Sequence, residues 1–149
     1  LFWRNQPDVR RYMLTQHEIS LEEHREWFAK NTENSSRSLL IIEENGVALG
    51  FVQFNKLGSG VVADWGFYTS PSAPKGTGYK IGITSLNYAF ITLKLHKVCG
   101  QALAFNLKSI QLHQKLGFHK EGVLRQQHHL NGAYQDLICF GLLRKEWNI

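Results

Sequence analysis

The stretch from Asn106 to Phe118 constrains this chain more than any other. It reads as a helix closed at both ends. Asn106 is a strong N-cap, because its short amide can accept the free backbone N–H groups of a first turn. Gly117 follows Lys115 and Leu116 as a stop, since glycine enters the left-handed region without steric cost. Phe118 then opens an extended run. His113 lies one turn from Ile110 and Leu116, which places it on the inward face of that helix.

A second constraint stands upstream. Ala63 to Thr69 has the aromatic and small-residue content of a strand, Ser70 to Lys75 is a Pro/Ser turn region, and Lys75-Gly76-Thr77-Gly78 is a glycine-rich loop. Ile81 to Leu95 follows as a long apolar helix. Strand, glycine loop, helix is an arrangement that binds pyrophosphate. The helix start offers unpaired N–H donors and a positive dipole, and glycine lets phosphate approach the backbone.

Together these two stretches resemble the signatures of the GNAT acetyltransferases. Asn106, Ser109, His113 and Leu116-Gly117-Phe118 stand in the order of one signature, with His113 where the family usually has tyrosine. Lys75, Gly78 and Lys80 occupy the positions of the other, although Lys80 stands where a small residue is usual. The resemblance implies acetyl-CoA as cosubstrate, held by Phe67, Tyr68 and Thr69, by the loop Lys75, Gly76, Thr77, Gly78, Tyr79 and Lys80, and by Asn106 and Ser109. It also implies that His113 protonates the departing thiolate. A charged imidazole suits that task, as its ordinary pKa lies near neutrality. No carboxylate stands out as general base. Asp64 is the candidate, with a water chain as the alternative; Gln101, an amide, cannot accept the proton.

The remaining elements fit the same layout. Gln6-Pro7-Asp8 opens a short helix through Met13, and Ser20-Leu21-Glu22-Glu23 is a capping box for a helix to about Lys30, with Trp27 and Phe28 as buried candidates. Strands are expected at Ser38–Glu43, Val47–Phe54, Val98–Phe105, Phe118–Leu130 and Tyr134–Leu143. Asn45-Gly46 and Asn131-Gly132 are the dipeptides that tight hairpins prefer. This is the α+β GNAT fold, a mixed, mostly antiparallel sheet with helices on both sides, over one domain spanning residues 1–149. The family's first strand would precede Leu1, so the sequence shown is expected to lack it.

A narrower resemblance concerns the acceptor. Arg4-Asn5-Gln6-Pro7, Met13, Ile19-Ser20, His24 and Trp27-Phe28 are similar to the acceptor side of a bacterial subgroup that acetylates the 4-amino group of a UDP-linked amino-sugar on the route to pseudaminic acid. By that resemblance Arg4, Met13, His24 and Trp27 line the acceptor pocket: Arg4 for a diphosphate or uracil oxygen, Trp27 for an apolar face, His24 for a hydroxyl. The alternatives are a protein or ribosomal N-terminal acetyltransferase and a non-catalytic acetyl-CoA sensor.

Composition narrows the partners. A chain of 149 residues, 43% of them hydrophobic, can bury a single core. The net charge of +5 is dispersed, with Arg10-Arg11 and Arg144-Lys145 the only adjacent pairs of basic residues, which argues against a nucleic-acid surface. No apolar run approaches the length of a membrane span, and Leu1 to Asn5 carries no signal-peptide pattern. Cys99 and Cys139, both in expected strands, read as reduced core thiols of a cytoplasmic protein; the scattered histidines form no metal motif. A monomer or homodimer acting on a small molecule is expected.

Overall fold

Strict alternation along the central strands decides the architecture. The computed structural model describes residues 1–148. In β2 (Val47–Leu57) Val52 and Phe54 are fully buried, while Phe51 and Gln53, which alternate with them, face the other side of the sheet. β2 pairs antiparallel with β1 (Arg37–Glu44) and with β3 (Val62–Thr69). β4 (Lys97–Leu103), β5 (His119–Leu130) and β6 (Ala133–Leu143) complete one six-stranded sheet in the order β1-β2-β3-β4-β6-β5. Every neighbouring pair is antiparallel except β3 and β4.

Helices cover both faces. Two short N-terminal helices, α1 (Pro7–Arg10) and α2 (Leu21–Thr32), lie on one side. Trp27 of α2 meets Phe51 edge-on at 6.4 Å between ring centroids. α3 (Thr77–Asn87), extended by a turn of π-helix over Tyr88–Thr92, and α4 (Leu107–Lys115) pack on the other side. There Ile81, Leu86 and Phe90 join Val52, Phe54, Trp65 and Phe140 in the core. Gly82 brings α3 hard against α4: a Cβ there would lie 3.1 Å from Leu116 Cδ2.

The elements differ from expectation at their ends. α3 begins at Thr77, well before Ile81, because Gly76, at φ +90°, turns the loop directly into the helix. α1 stops at Arg10 rather than Met13. β4 stops at Leu103 rather than Phe105, because the Asn106 N–H turns back to Leu103 O at 2.8 Å. Phe28 is 52% exposed and lies outside the core, with its ring 6.3 Å from that of His24. Cys99 and Cys139 are free thiols, half-buried on β4 and β6. No helix among the described residues is long and apolar enough to cross a membrane.

Candidate active site

The parallel pair β3 and β4 runs together only briefly. Val62, Ala63 and Asp64 align with Lys97, Val98 and Cys99, and from Trp65 onward β3 has a strand partner on its β2 edge alone. β4 meanwhile stays with β6 through Leu103. The two strands therefore diverge, and β3 residues Trp65 to Thr69 form one wall of a cleft of about 970 Å³. The backbone groups on the free edge of that wall need partners from outside the sheet.

The loop after β3 closes one end of this cleft. Lys75, Gly76, Thr77 and Gly78 line it, ahead of and within the first turn of α3. The Thr77 N–H is taken by Pro74 O at 3.2 Å, and those of Tyr79 and Lys80 by Gly76 O. The N–H groups of Lys75, Gly76 and Gly78 have no partner among the described residues. Unpaired donors at a helix start, with the ammonium of Lys75 beside them, suit a phosphate group. Across the cleft, Asn106 and Ser109 line the wall, and Asn106 Oδ1 accepts the Ser109 N–H at 3.2 Å as the cap of α4.

Tyr79 and Lys80 do not line the cleft. The Tyr79 ring lies under the Lys115 ammonium at 4.3 Å, and Lys80 reaches outward to Glu44 at 3.3 Å. Lys108, outside the expected set, does line it as the second residue of α4. Its place between Asn106 and Ser109 in the signature was the available signal.

The four acceptor-side residues converge on the same cleft from three different segments. Arg4, Met13, His24 and Trp27 all line it, and Phe51 joins them, its ring tilted against that of Tyr68 at 5.3 Å. His24 stacks on Trp27 at 5.8 Å. Burial lowers the pKa of the His24 imidazole, which favours its neutral form as a hydrogen-bonding ring. Arg4 donates through Nη2 to Thr15 O at 2.8 Å, while its Nη1 is buried with no partner among the described residues. Burial also lowers the Arg4 guanidinium, which nonetheless stays cationic. The cleft wall carries Arg4, Arg11, Lys75 and Lys108 against Asp8 and Glu23, and Glu23 already holds His17 at 3.0 Å.

Asp64 lies apart from this cleft. It lines a neighbouring cavity of about 200 Å³ that shares Tyr12, Met13, Trp65, Gln101 and Asn106 with the larger one. Its carboxylate has no hydrogen-bond partner among the described residues, and burial raises its pKa.

His113 departs from the expected charged donor. It is 5% exposed, packed flat on Phe140 at 4.8 Å and edge-on to Phe118 at 5.0 Å. The Trp65 indole N–H donates to Nε2 at 3.1 Å, so that nitrogen carries no proton. Nδ1 lies 2.8 Å from Ser109 O, where it can only donate. The imidazole is thus neutral with both nitrogens engaged, and burial, outweighing the bond to Ser109, lowers its pKa. A stability effect follows with a definite sign. Below about pH 6.5 the unfolded chain binds a proton at this position that the folded chain resists. Stability is therefore whole above that value and falls as pH drops towards the depressed folded pKa. The melting temperature is expected to fall less between pH 7 and 5 in His113→Gln than in the wild type; equal slopes would contradict the buried neutral state.

The comparisons with known proteins agree with this geometry. A family model described as the acetyltransferase (GNAT) domain matches residues 1–119. The SPbeta prophage-derived uncharacterized N-acetyltransferase YokL of Bacillus subtilis is 33% identical over 132 residues, 84% of this chain and 72% of that protein. Acetyltransferase PseH of Campylobacter jejuni is 28% identical over 116 residues, 78% of this chain and 72% of that protein. Among solved structures, spermidine N-acetyltransferase from Vibrio cholerae, in complex with CoA and spermine, superposes with a TM-score of 0.88 at 23% identity, covering 97% of this chain and 88% of the other.

Proposed function

The chain belongs to the GNAT acetyltransferase family and uses acetyl-CoA, and from that premise we propose that its acceptor is the 4-amino group of a nucleotide-linked amino-sugar. The observation that carries this reading is the convergence of Arg4, Met13, His24 and Trp27 on the cleft that also holds the Lys75–Gly78 loop. Arg4 brings a cation with a buried, unpartnered Nη1, suited to a diphosphate oxygen. Trp27 and Met13 offer an apolar wall to a deoxy-sugar or base, and His24 a hydrogen bond to a hydroxyl. The relatives include both acetyltransferase PseH and spermidine acetyltransferases, so the charge of the cleft carries the choice of acceptor. A polyamine would favour the opposite balance of charge. Here the wall holds four basic residues against Asp8 and an already engaged Glu23.

Bound acetyl-CoA supplies an activated acetyl thioester. The chain's own task is to hold it, to keep the acceptor amine unprotonated and near it, and to stabilise developing negative charge. Lys75, Gly76 and Gly78 would hold the phosphates, and the free backbone edge of Phe67 to Thr69 the acyl arm. Asp64, facing the adjoining small cavity, would take the amine proton through water. Because burial raises its pKa, turnover is expected to fall as pH drops through that raised value, where the carboxylate becomes protonated. Asp64→Asn should lower kcat by about 100-fold and leave acetyl-CoA affinity unchanged; full activity in this variant would leave the water chain alone as proton acceptor. The work is assigned to the cytoplasm.

Initial rates with three acceptors test the assignment: a UDP-4-amino-4,6-dideoxy-sugar, spermidine and a peptide with a free N-terminus. The sugar nucleotide is expected to be used at least about tenfold faster, the factor that one charge-assisted contact supports. Preference for spermidine or the peptide would overturn the acceptor and leave the family untouched. Absence of any turnover would favour a sensor.

A further inference from the structure

Trp65 is the first residue of β3 beyond its pairing with β4, and Gly100 is the next residue of β4 beyond that pairing. The space above Gly100 is filled by two side chains. A Cβ on Gly100 would lie 2.8 Å from His113 Cδ2 and 2.9 Å from Trp65 Nε1, so only glycine leaves room for both. The indole and imidazole are bonded to one another at 3.1 Å and cross at 85°. They are locked from outside as well: Trp65 is stacked on Phe118 at 5.3 Å and on Phe54 at 6.3 Å, and His113 lies flat on Phe140 at 4.8 Å. The pair therefore stands where the two strands part, tying β3 to α4, and both members line the cleft.

We propose that the Trp65–His113 hydrogen bond is a wedge that sets the opening between β3 and β4, making His113 a positioning residue for acetyl-CoA rather than its proton donor. The inference rests on the acetyl-CoA reading of the cleft and adds what holds that cleft open. The width of the opening decides whether the free edge of β3 and the α4 wall reach the acyl arm together. The bond has one donor and one acceptor, since indole nitrogen can only donate. Losing either partner should therefore have the same consequence as losing both. Of the other contacts of His113 among the described residues, Ser109 brings its carbonyl oxygen and a hydroxyl 3.4 Å from Nδ1, while Phe118 and Phe140 carry no polar side-chain atom, so no carboxylate or second imidazole touches the ring.

Acetyl-CoA affinity by calorimetry and steady-state rates would be measured for the wild type, Trp65→Phe, His113→Phe, the double variant and His113→Gln. Each single Phe variant is expected to weaken acetyl-CoA binding about tenfold, with acceptor KM unchanged, and the double variant to be no worse than either single. His113→Gln, whose amide oxygen can accept the indole N–H, should bind within about threefold of the wild type and keep the shape of its kcat–pH profile. Wild-type affinity in Trp65→Phe, or a His113→Gln enzyme that binds normally but loses the alkaline limb of kcat, would overturn the proposal in favour of a proton donor. Should His113→Phe fail to fold, Trp65→Phe and His113→Gln decide alone: weak binding in the first with near-normal binding in the second supports the wedge, and any other order sinks it. A wild-type protein that does not bind acetyl-CoA would overturn this inference together with the functional reading, whereas failure of the wedge alone leaves wild-type binding intact.

Discussion

Gly78→Leu is expected to abolish the stabilisation of the protein by acetyl-CoA while leaving the unliganded protein folded. At a cofactor concentration about 100 times Kd, a ligand that binds only the folded state adds about 2.7 kcal/mol, which for a chain of this size raises the melting temperature by roughly 5–10 °C. Gly78 lies in the first turn of α3, lines the cleft, and keeps its N–H without a partner among the described residues. A Cβ there would meet only Leu112 Cδ2, at 3.7 Å, an ordinary contact. The fold thus tolerates a side chain at this position, and leucine is a better helix former than glycine. The remainder of that side chain would occupy the approach to the N–H groups of Gly76 and Gly78. Thermal melts with and without acetyl-CoA check this. An undiminished shift in the variant would place the phosphates elsewhere, and a collapse of the unliganded protein would mean that Gly78 serves the fold.

Arg4→Ala is expected to reduce kcat/KM for the sugar nucleotide by roughly tenfold to a hundredfold, corresponding to the loss of about 1.5–3 kcal/mol from a hydrogen bond to a charged group. Acetyl-CoA affinity should stay as it was, because Arg4 stands on the α1–α2 side of the cleft. Arg4 has a second contact, through Nη2 to Thr15 O, which ties the segment after α1. Arg4→Lys separates the two effects. It keeps the cation and cannot reproduce the two-pronged geometry, so an intermediate loss is expected if Arg4 binds a diphosphate. Equal kcat/KM in Arg4→Ala and wild type would remove Arg4 from the acceptor site. A loss confined to melting temperature would assign it to the loop.

Much of the candidate site was legible because its local parts are set by nearest neighbours in the chain. Asn106 caps α4 through Ser109, and Gly117 ends it at φ +91°, as the residues require. Asn45-Gly46 and Asn131-Gly132 both turn with positive φ at each residue, and each joins two antiparallel strands. Ser20 caps α2 by accepting the Glu23 N–H at 3.1 Å, although the Glu23 carboxylate turns to His17 instead of closing the capping box. The glycine loop and the helix behind it were equally readable, since the conformation at Gly76 is a property of glycine itself.

What the tertiary structure alone decided are the states that depend on residues far apart in sequence. His113 is a neutral, doubly bonded imidazole because β3 brings Trp65 to its Nε2 and β6 brings Phe140 across its ring. Neither neighbour can be read from the helix that carries it. Lys80 turned out to face Glu44 on β1, and Lys108 the cleft, because side-chain direction at a helix start follows how the helix is seated on the sheet. Asp64 lies in a side cavity because it is the last residue of β3 still paired with β4, just before the strands part into the cleft. Propensity, capping and turn chemistry act over a few residues and are written in the sequence; protonation, burial and the convergence of Arg4, Met13, His24 and Trp27 with the loop arise from long-range packing, where desolvation and hydrogen-bond partners are supplied by other elements.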